Sequence, residues 1–299
     1  MNTSDITKLA TERRNPRSRD IDRLTTAEMV SLINSEDKKV ADAVEKVCPQ
    51  IAAAIDLIYA RMKRGGRLIY CGCGTSGRLG ILDASECPPT YSVSPETVQA
   101  VIAGGRGAVF NAVEGAEDSA ELGKEDMLKL SLTENDTLVG IAASGRTPYV
   151  IGAMKAARDA GAGVIGLTCC PGSEIDRAAD VGISPDPGPE VITGSTRMKC
   201  GTAQKMVLNM LSTCTMVKLG KVYGNLMVDV KPSNEKLVHR CISIVRETTG
   251  ADEKTAVAAL EECGYKCKTA IVMLLCSVSA DEAEARLGRS DGRVADAIR

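Results

Sequence analysis

Apolar residues in the first part of the chain recur at helical spacing. Val40, Val44, Val47, Ile51, Ile55 and Ile58 stand three or four positions apart among polar neighbours. This stripe predicts a helix over about 36–63, ended by the pair Gly65-Gly66. Beyond it the pattern changes to short apolar runs at 68–71, 98–103, 138–143, 164–168 and 181–184, each reading as a buried strand. Helical patterns separate them at 77–85, 106–130, 148–160 and 175–179, and a long one follows over 195–219. Strands alternating with helices predict an α/β fold, a doubly wound parallel sheet with helices on both faces. After Gly220 the strand signals stop, and 234–247, 253–262, 266–276 and 280–287 each read as helical. The expected organisation is an N-terminal arm over 1–35, a sheet domain over 36–225, and a small all-helical, UBA-like subdomain over 226–299.

The arm is polar. Arg13, Arg14, Arg17, Arg19 and Arg23 alternate with Glu12, Asp20 and Asp22, the pattern of a mobile or surface-draped segment. Aromatic residues make up only 2% of the chain and Trp is absent. The core is therefore built from Ala, Val, Ile, Leu, Met and Cys, which suits buried parallel strands. A formal net charge of −2 creates no field to recruit nucleic acid or an anionic membrane. No basic stretch followed by an apolar run opens the chain, and the longest apolar run, 271–276, is far too short to span a bilayer. A cytoplasmic chain is expected, its 12 cysteines reduced. Cys263 and Cys267 have helical spacing that implies shared burial in a core, with a structural zinc site as the alternative. The single histidine, His239, excludes multi-histidine metal sites and leaves proton transfer to carboxylates, Lys, Tyr or Cys.

Three turns carry candidate chemistry. Gly72-Cys73-Gly74-Thr75-Ser76-Gly77 sits between a strand and a helix and matches the G-x-G-x-x-G pattern of dinucleotide sites. That pattern also calls for an acidic residue at the end of the second strand, where this chain has Ala103-Gly104-Gly105. Nicotinamide binding is therefore disfavoured. Two hydroxyls and the free N–H groups of a helix start suit a phosphate instead, a reading favoured over the alternative that they simply cap the helix. The design repeats at Ser144-Gly145-Arg146-Thr147-Pro148, and again at Thr193-Gly194-Ser195-Thr196-Arg197. Turns of this kind at the carboxyl ends of parallel strands point to one ligand crevice. Carboxylates stand nearby at Glu86, before a Pro88-Pro89 pair read as a rigid turn, and at Glu114, Glu117 and Asp118. Glu86 lies ten residues after Ser76, about 15 Å if that stretch is helical. A hexose phosphate is shorter, which hints at a site shared between subunits.

At these residues the chain resembles the N-acetylmuramic acid 6-phosphate etherases, sugar isomerase (SIS) domain enzymes of bacterial cell-wall recycling. The matching stretches are 72–90, 112–119, 140–150, 193–204 and 224–230, and the similarity covers about 20–287. The family usually has Ala at the positions of Cys73 and Cys200, both small replacements. The resemblance implies a doubly wound sheet, a helical C-terminal subdomain and a homodimer. It implies an acid carboxylate at Glu86 and a second catalytic carboxylate at Glu117. It also implies that Thr75, Ser76, Ser144, Gly145, Arg146 and Thr147 hold the sugar 6-phosphate, with Ser195 beside them and Lys236 reaching in from the C-terminal unit. The expected partner is a small sugar phosphate, with no cofactor or metal, no nucleic acid and no membrane. Two other readings stay open: an aldose–ketose isomerase of hexose phosphates, and a non-enzymatic sugar-phosphate sensor like the vertebrate glucokinase regulatory protein.

Overall fold

A computed structural model of the chain describes residues 10–230, 232 and 235–299. It divides into two compact units, one holding residues up to 84 together with 96–212, the other holding 85–95 and 213–299.

In the first unit, helices α1 (Thr26–Asp37), α2 (Lys39–Glu45) and α3 (Cys48–Met62) precede strand β1 (Leu68–Gly72). Helix α4 (Gly74–Tyr91) leaves β1 and continues into the second unit. Next come β2 (Val98–Ile102), α5 (Ala120–Lys129), β3 (Thr137–Ile141), α6 (Pro148–Asp159), β4 (Gly163–Leu167), α7 (Glu174–Ala178) and β5 (Val181–Ile183). Helix α8 (Lys199–Lys218) closes this series. The five strands form one parallel sheet in the order β2-β1-β3-β4-β5. Every residue of β1, β3 and β4 is buried, as a sheet covered on both faces requires. Ile69, Leu138, Val150, Met154 and Val164 meet in one of its cores, where the near-absence of aromatics lets helices and strands approach closely. The order reverses at β1 and β3, so a crevice opens outside their carboxyl ends.

The second unit contains, besides the end of α4, a two-strand antiparallel hairpin, β6 (Val222–Tyr223) with β7 (Leu226–Met227). Helices α9 (Glu235–Thr249), α10 (Glu253–Glu262), α11 (Cys267–Cys276), α12 (Ala280–Arg289) and α13 (Val294–Ala297) complete it. Cys241, Val245, Leu260, Cys263, Cys267 and Ile271 are buried together in its core, the shared burial expected of Cys263 and Cys267. No helix among the described residues is long and apolar enough to cross a membrane.

Several local expectations are corrected. The single helix expected over 36–63 is broken after Asp37 and again near Val47, because Pro49 lacks an N–H and suits the first turn of a new helix. The stretch 106–130 is helical only from Ala120; before it, positive-φ glycines at 104, 105 and 115 hold a loop with two short 3₁₀ turns. Pro88 and Pro89 do not form a turn: α4 runs through them to Tyr91, so Glu86 lies within a helix. Strands also continue past Gly220, where Gly224, at φ 57°, and Asn225 turn the hairpin.

The arm is corrected too. Over its described residues Thr11, Asn15 and Ser18 are buried. Asn15 Nδ2 donates to Glu36 Oε2 at 2.9 Å and to the Pro189 carbonyl at 3.2 Å, and Ser18 Oγ donates to the Val191 carbonyl at 2.6 Å. These ties are polar, so a pattern of apolar residues gives no sign of them.

Candidate active site

The crevice at the β1/β3 switch point is a cleft of about 220 Å³ within the first unit. Thr75 and Ser76, from the first turn of α4, line it together with Ser144 and Thr147 from the turn after β3. Gly194, Thr196, Thr11, Glu12 and Glu117 complete the wall. Five of the expected site residues (Thr75, Ser76, Ser144, Thr147 and Glu117) are thus brought together. Gly145, Arg146 and Ser195 belong to the same turns but are not among the lining residues. Glu86 and Lys236 lie in the second unit, both exposed. Asn234, two residues before Lys236, falls outside the described residues.

Close backbone packing shapes the cleft. Gly77 N–H donates to the Cys73 carbonyl at 3.2 Å, and a Cβ on Gly77 would sit 2.6 Å from Ile102 Cγ1 and 2.7 Å from the Gly72 oxygen. Only glycine lets β1 pass into α4 so sharply. Gly145 has φ +66°, and a Cβ there would overlap the Ser173 side chain. The Gly145→Ala substitution is therefore expected to cost about 1–3 kcal/mol, as positive-φ strain and a clash combine. Urea unfolding measures this, and a midpoint equal to that of the parent chain would contradict it.

The hydroxyls are largely uncommitted. Thr147 stands at the N-cap of α6 yet its side chain makes no capping hydrogen bond. Among the described residues, Ser76 Oγ donates to Gln204 Oε1 at 2.9 Å and Thr11 Oγ1 to Glu12 Oε1 at 3.4 Å. Helix capping, the alternative role for these turns, thus does not engage Thr147. Helices α4 and α6 both begin at this cleft, where the N–H groups of a first helical turn suit an anion, and among the described residues its wall contributes hydroxyls rather than cations.

Glu117 sits on the loop between β2 and α5, exposed at the cleft wall. Its charge registers on Cys73: burial, then Glu117 and Asp118, push that thiol up to about 12. Cys73 is therefore a protonated, inert wall residue at neutral pH. Arg78, one turn into α4, braces the same loop; its Nε donates to the Val109 carbonyl at 2.8 Å and its Nη2 to the Ala108 carbonyl at 2.9 Å. Beneath the third turn, the wholly buried Glu190 accepts from the backbone N–H groups of Lys199 at 3.0 Å and Cys200 at 2.9 Å, fixing the start of α8. Thr11 and Glu12 are the lining residues that motif reading missed. Their signal was the hydroxyl and amide spacing Thr11, Asn15, Ser18, a polar stripe in place of an apolar one.

A parallel sheet of this order, with hydroxyl-bearing turns at its switch point, defines the SIS class of sugar-phosphate-binding domains. The SIS domain model matches 111–213, that of the glucokinase regulatory protein N-terminal SIS domain matches 50–158, and that of the same protein's C-terminal lid domain matches 224–270. A solved phosphoheptose isomerase from Neisseria gonorrhoeae shares the fold at TM-score 0.50 and 21% identity, over 64% of this chain and 98% of that one. Curated relatives are far nearer. N-acetylmuramic acid 6-phosphate etherase of Clostridium beijerinckii is 55% identical over 100% of this chain and 98% of its own. The etherase of Serratia proteamaculans is 57% identical over 97% and 98%. The chain belongs to the N-acetylmuramic acid 6-phosphate etherase family.

Proposed function

We propose that this chain cleaves the D-lactyl ether of N-acetylmuramic acid 6-phosphate, giving N-acetylglucosamine 6-phosphate and D-lactate. One observation carries the reading: four hydroxyl side chains suited to a phosphate and the Glu117 carboxylate line a single cleft at the switch point. The activity for which these relatives are named supports it over nearly the full length of the chain.

The chemistry follows from the substrate. An unactivated ether is a poor leaving group, but the open-chain sugar has a C1 aldehyde that acidifies the C2 proton. Glu117 removes that proton as general base. Glu86 protonates the C3 ether oxygen as the C3–O bond breaks and D-lactate leaves. Water then adds across the unsaturated aldehyde, hydroxyl to C3 and proton to C2. The hydroxyl turns hold the 6-phosphate throughout, with Gly145, Arg146 and Ser195 shaping them and Lys236 contributing from the C-terminal lid. The chain's own carboxylates carry every proton in this scheme.

The same reading makes the protein a cytoplasmic homodimer, in which Glu86 serves the cleft of a neighbouring subunit. A charged sugar phosphate is retained in the cytoplasm, and Ser76 and Glu86 are ten residues apart on one helix. A monomer with full activity would refute the shared site. The activity itself is tested by incubating purified protein with N-acetylmuramic acid 6-phosphate and coupling D-lactate to a lactate dehydrogenase. Stoichiometric lactate is the expected result. Sugar phosphate bound without lactate would overturn the etherase in favour of an isomerase or a sensor.

A further inference from the structure

A second cavity of about 230 Å³ adjoins the hydroxyl cleft and shares Cys73, Gly74 and Glu117 with it. Its remaining polar side chains are Arg78, Asn111 and Glu114, set among small apolar walls such as Ala103, Ala108 and Val113. We infer that this cavity is the subsite for the lactyl group, with Arg78 receiving its carboxylate; the inference rests on the etherase reading.

Charge decides the assignment. The substrate has two anionic ends, the phosphate and the lactyl carboxylate. Among the described residues the hydroxyl cleft is lined by no Lys or Arg, and Arg78 is the single cation lining either cavity. An arginine has five N–H donors. Two of Arg78's are engaged by the carbonyls of Ala108 and Val109, and it pairs with no carboxylate among the described residues. Those two bonds fix the guanidinium and leave three donors, the fork that fits a carboxylate. Glu114 and Glu117 line the same cavity, so an anion is tolerated only against Arg78. The small apolar walls accept the lactyl methyl. Glu117, on the wall common to both cavities, then faces the sugar between its phosphate end and its lactyl end. A base for the C2 proton must stand there, because C2 adjoins the ether carbon C3.

The test compares two ligands that differ only in the lactyl group. For the full chain and its Arg78→Met variant, KM is measured for N-acetylmuramic acid 6-phosphate, and the inhibition constant for N-acetylglucosamine 6-phosphate. The variant is expected to raise KM by about 30-fold or more, the loss of charge-assisted hydrogen bonds to a carboxylate. The inhibition constant should stay within about threefold, since that product keeps the phosphate contacts and lacks the lactyl group. Equal weakening of both ligands would mean that Arg78 only braces the loop, or meets the N-acetyl group, and would overturn the inference. So would no change in either. Should Arg78→Met fail to fold, the parent protein answers alone: the lactamide analogue of the substrate, its carboxylate neutralised, should bind about 30-fold more weakly than the acid. Equal binding of amide and acid overturns the subsite. Absence of lactate release from the parent protein would instead sink the etherase reading, so the two failures are distinguishable.

Discussion

Glu117→Gln should lose about 100- to 10,000-fold in lactate release, the usual contribution of one positioned general base. Binding of the product N-acetylglucosamine 6-phosphate should change little, because glutamine keeps the shape of the side chain and the hydroxyls proposed to hold the phosphate belong to other residues of the cleft. A second readout separates the two carboxylates. In heavy water the parent protein should exchange the C2 hydrogen of that product, since the base works on the product aldehyde as it does on the substrate. Glu117→Gln should stop this exchange. Glu86→Gln should also stop lactate release yet leave exchange at C2 intact, because protonation of the ether oxygen plays no part in it. Exchange surviving in Glu117→Gln, or lost in Glu86→Gln alone, would reverse or cancel the roles assigned to them.

The roles proposed for these glutamates are not legible in composition or periodicity. Both are exposed, and an exposed carboxylate is ordinarily just solvated. What the chain does announce is the scaffold. The strands at 68–72, 98–102, 137–141, 163–167 and 181–183 fall within a residue or two of the apolar runs, because a strand buried on both faces must be continuously apolar. The turns after β1 and β3 were equally readable, since glycine and hydroxyl residues after a buried strand have a mechanical meaning. Errors arose where polar contacts or single residues overrode the pattern. Pro88 and Pro89 were expected to end a helix, yet α4 passes through them with Cys87 and Tyr91 buried on either side. The loop at 103–119 has enough Ala, Val and Glu to look helical, while its glycines at positive φ keep it open. That open loop presents Glu117 and lines the second cavity. The arm departs from its pattern for the opposite reason: its Thr, Asn and Ser are buried, and their hydrogen bonds show why.

The arm's anchorage rests on a buried ion pair whose two halves should respond unequally to substitution. Glu36 and Lys199 are each 1% exposed and lie 2.9 Å apart. Glu36 also accepts from Asn15 at 2.9 Å, Arg17 at 2.6 Å and Lys39 at 2.7 Å, whereas among the described residues Lys199 has besides Glu36 only the Pro187 carbonyl, at 2.9 Å. Replacing Glu36 by Gln thus strands a buried ammonium, and about 3–5 kcal/mol of stability should be lost. Replacing Lys199 by Met leaves the carboxylate with three donors and should cost about 1–2 kcal/mol. The double variant removes the stranded charge and should recover much of the larger loss. Acid adds a second signature. Burial alone would raise the Glu36 carboxyl, but hydrogen bonds from Lys39, Lys199 and Asn15 outweigh it and hold the group at about 2, below its ordinary 4.5. A depressed carboxyl stabilises the fold above its unfolded value, so this contribution is complete above about pH 4.5 and fades as pH falls toward 2. Glu36→Gln should flatten that part of the stability curve, read by urea unfolding across the acid range. Equal losses from the two single variants, or an unchanged acid limb, would show that the pair does not fasten the arm. The consequence reaches the site: Lys199 opens α8 three residues after Thr196, and the arm contributes Thr11 and Glu12 to the same cleft. Loosening the pair should therefore raise KM for the sugar phosphate even where the protein remains folded.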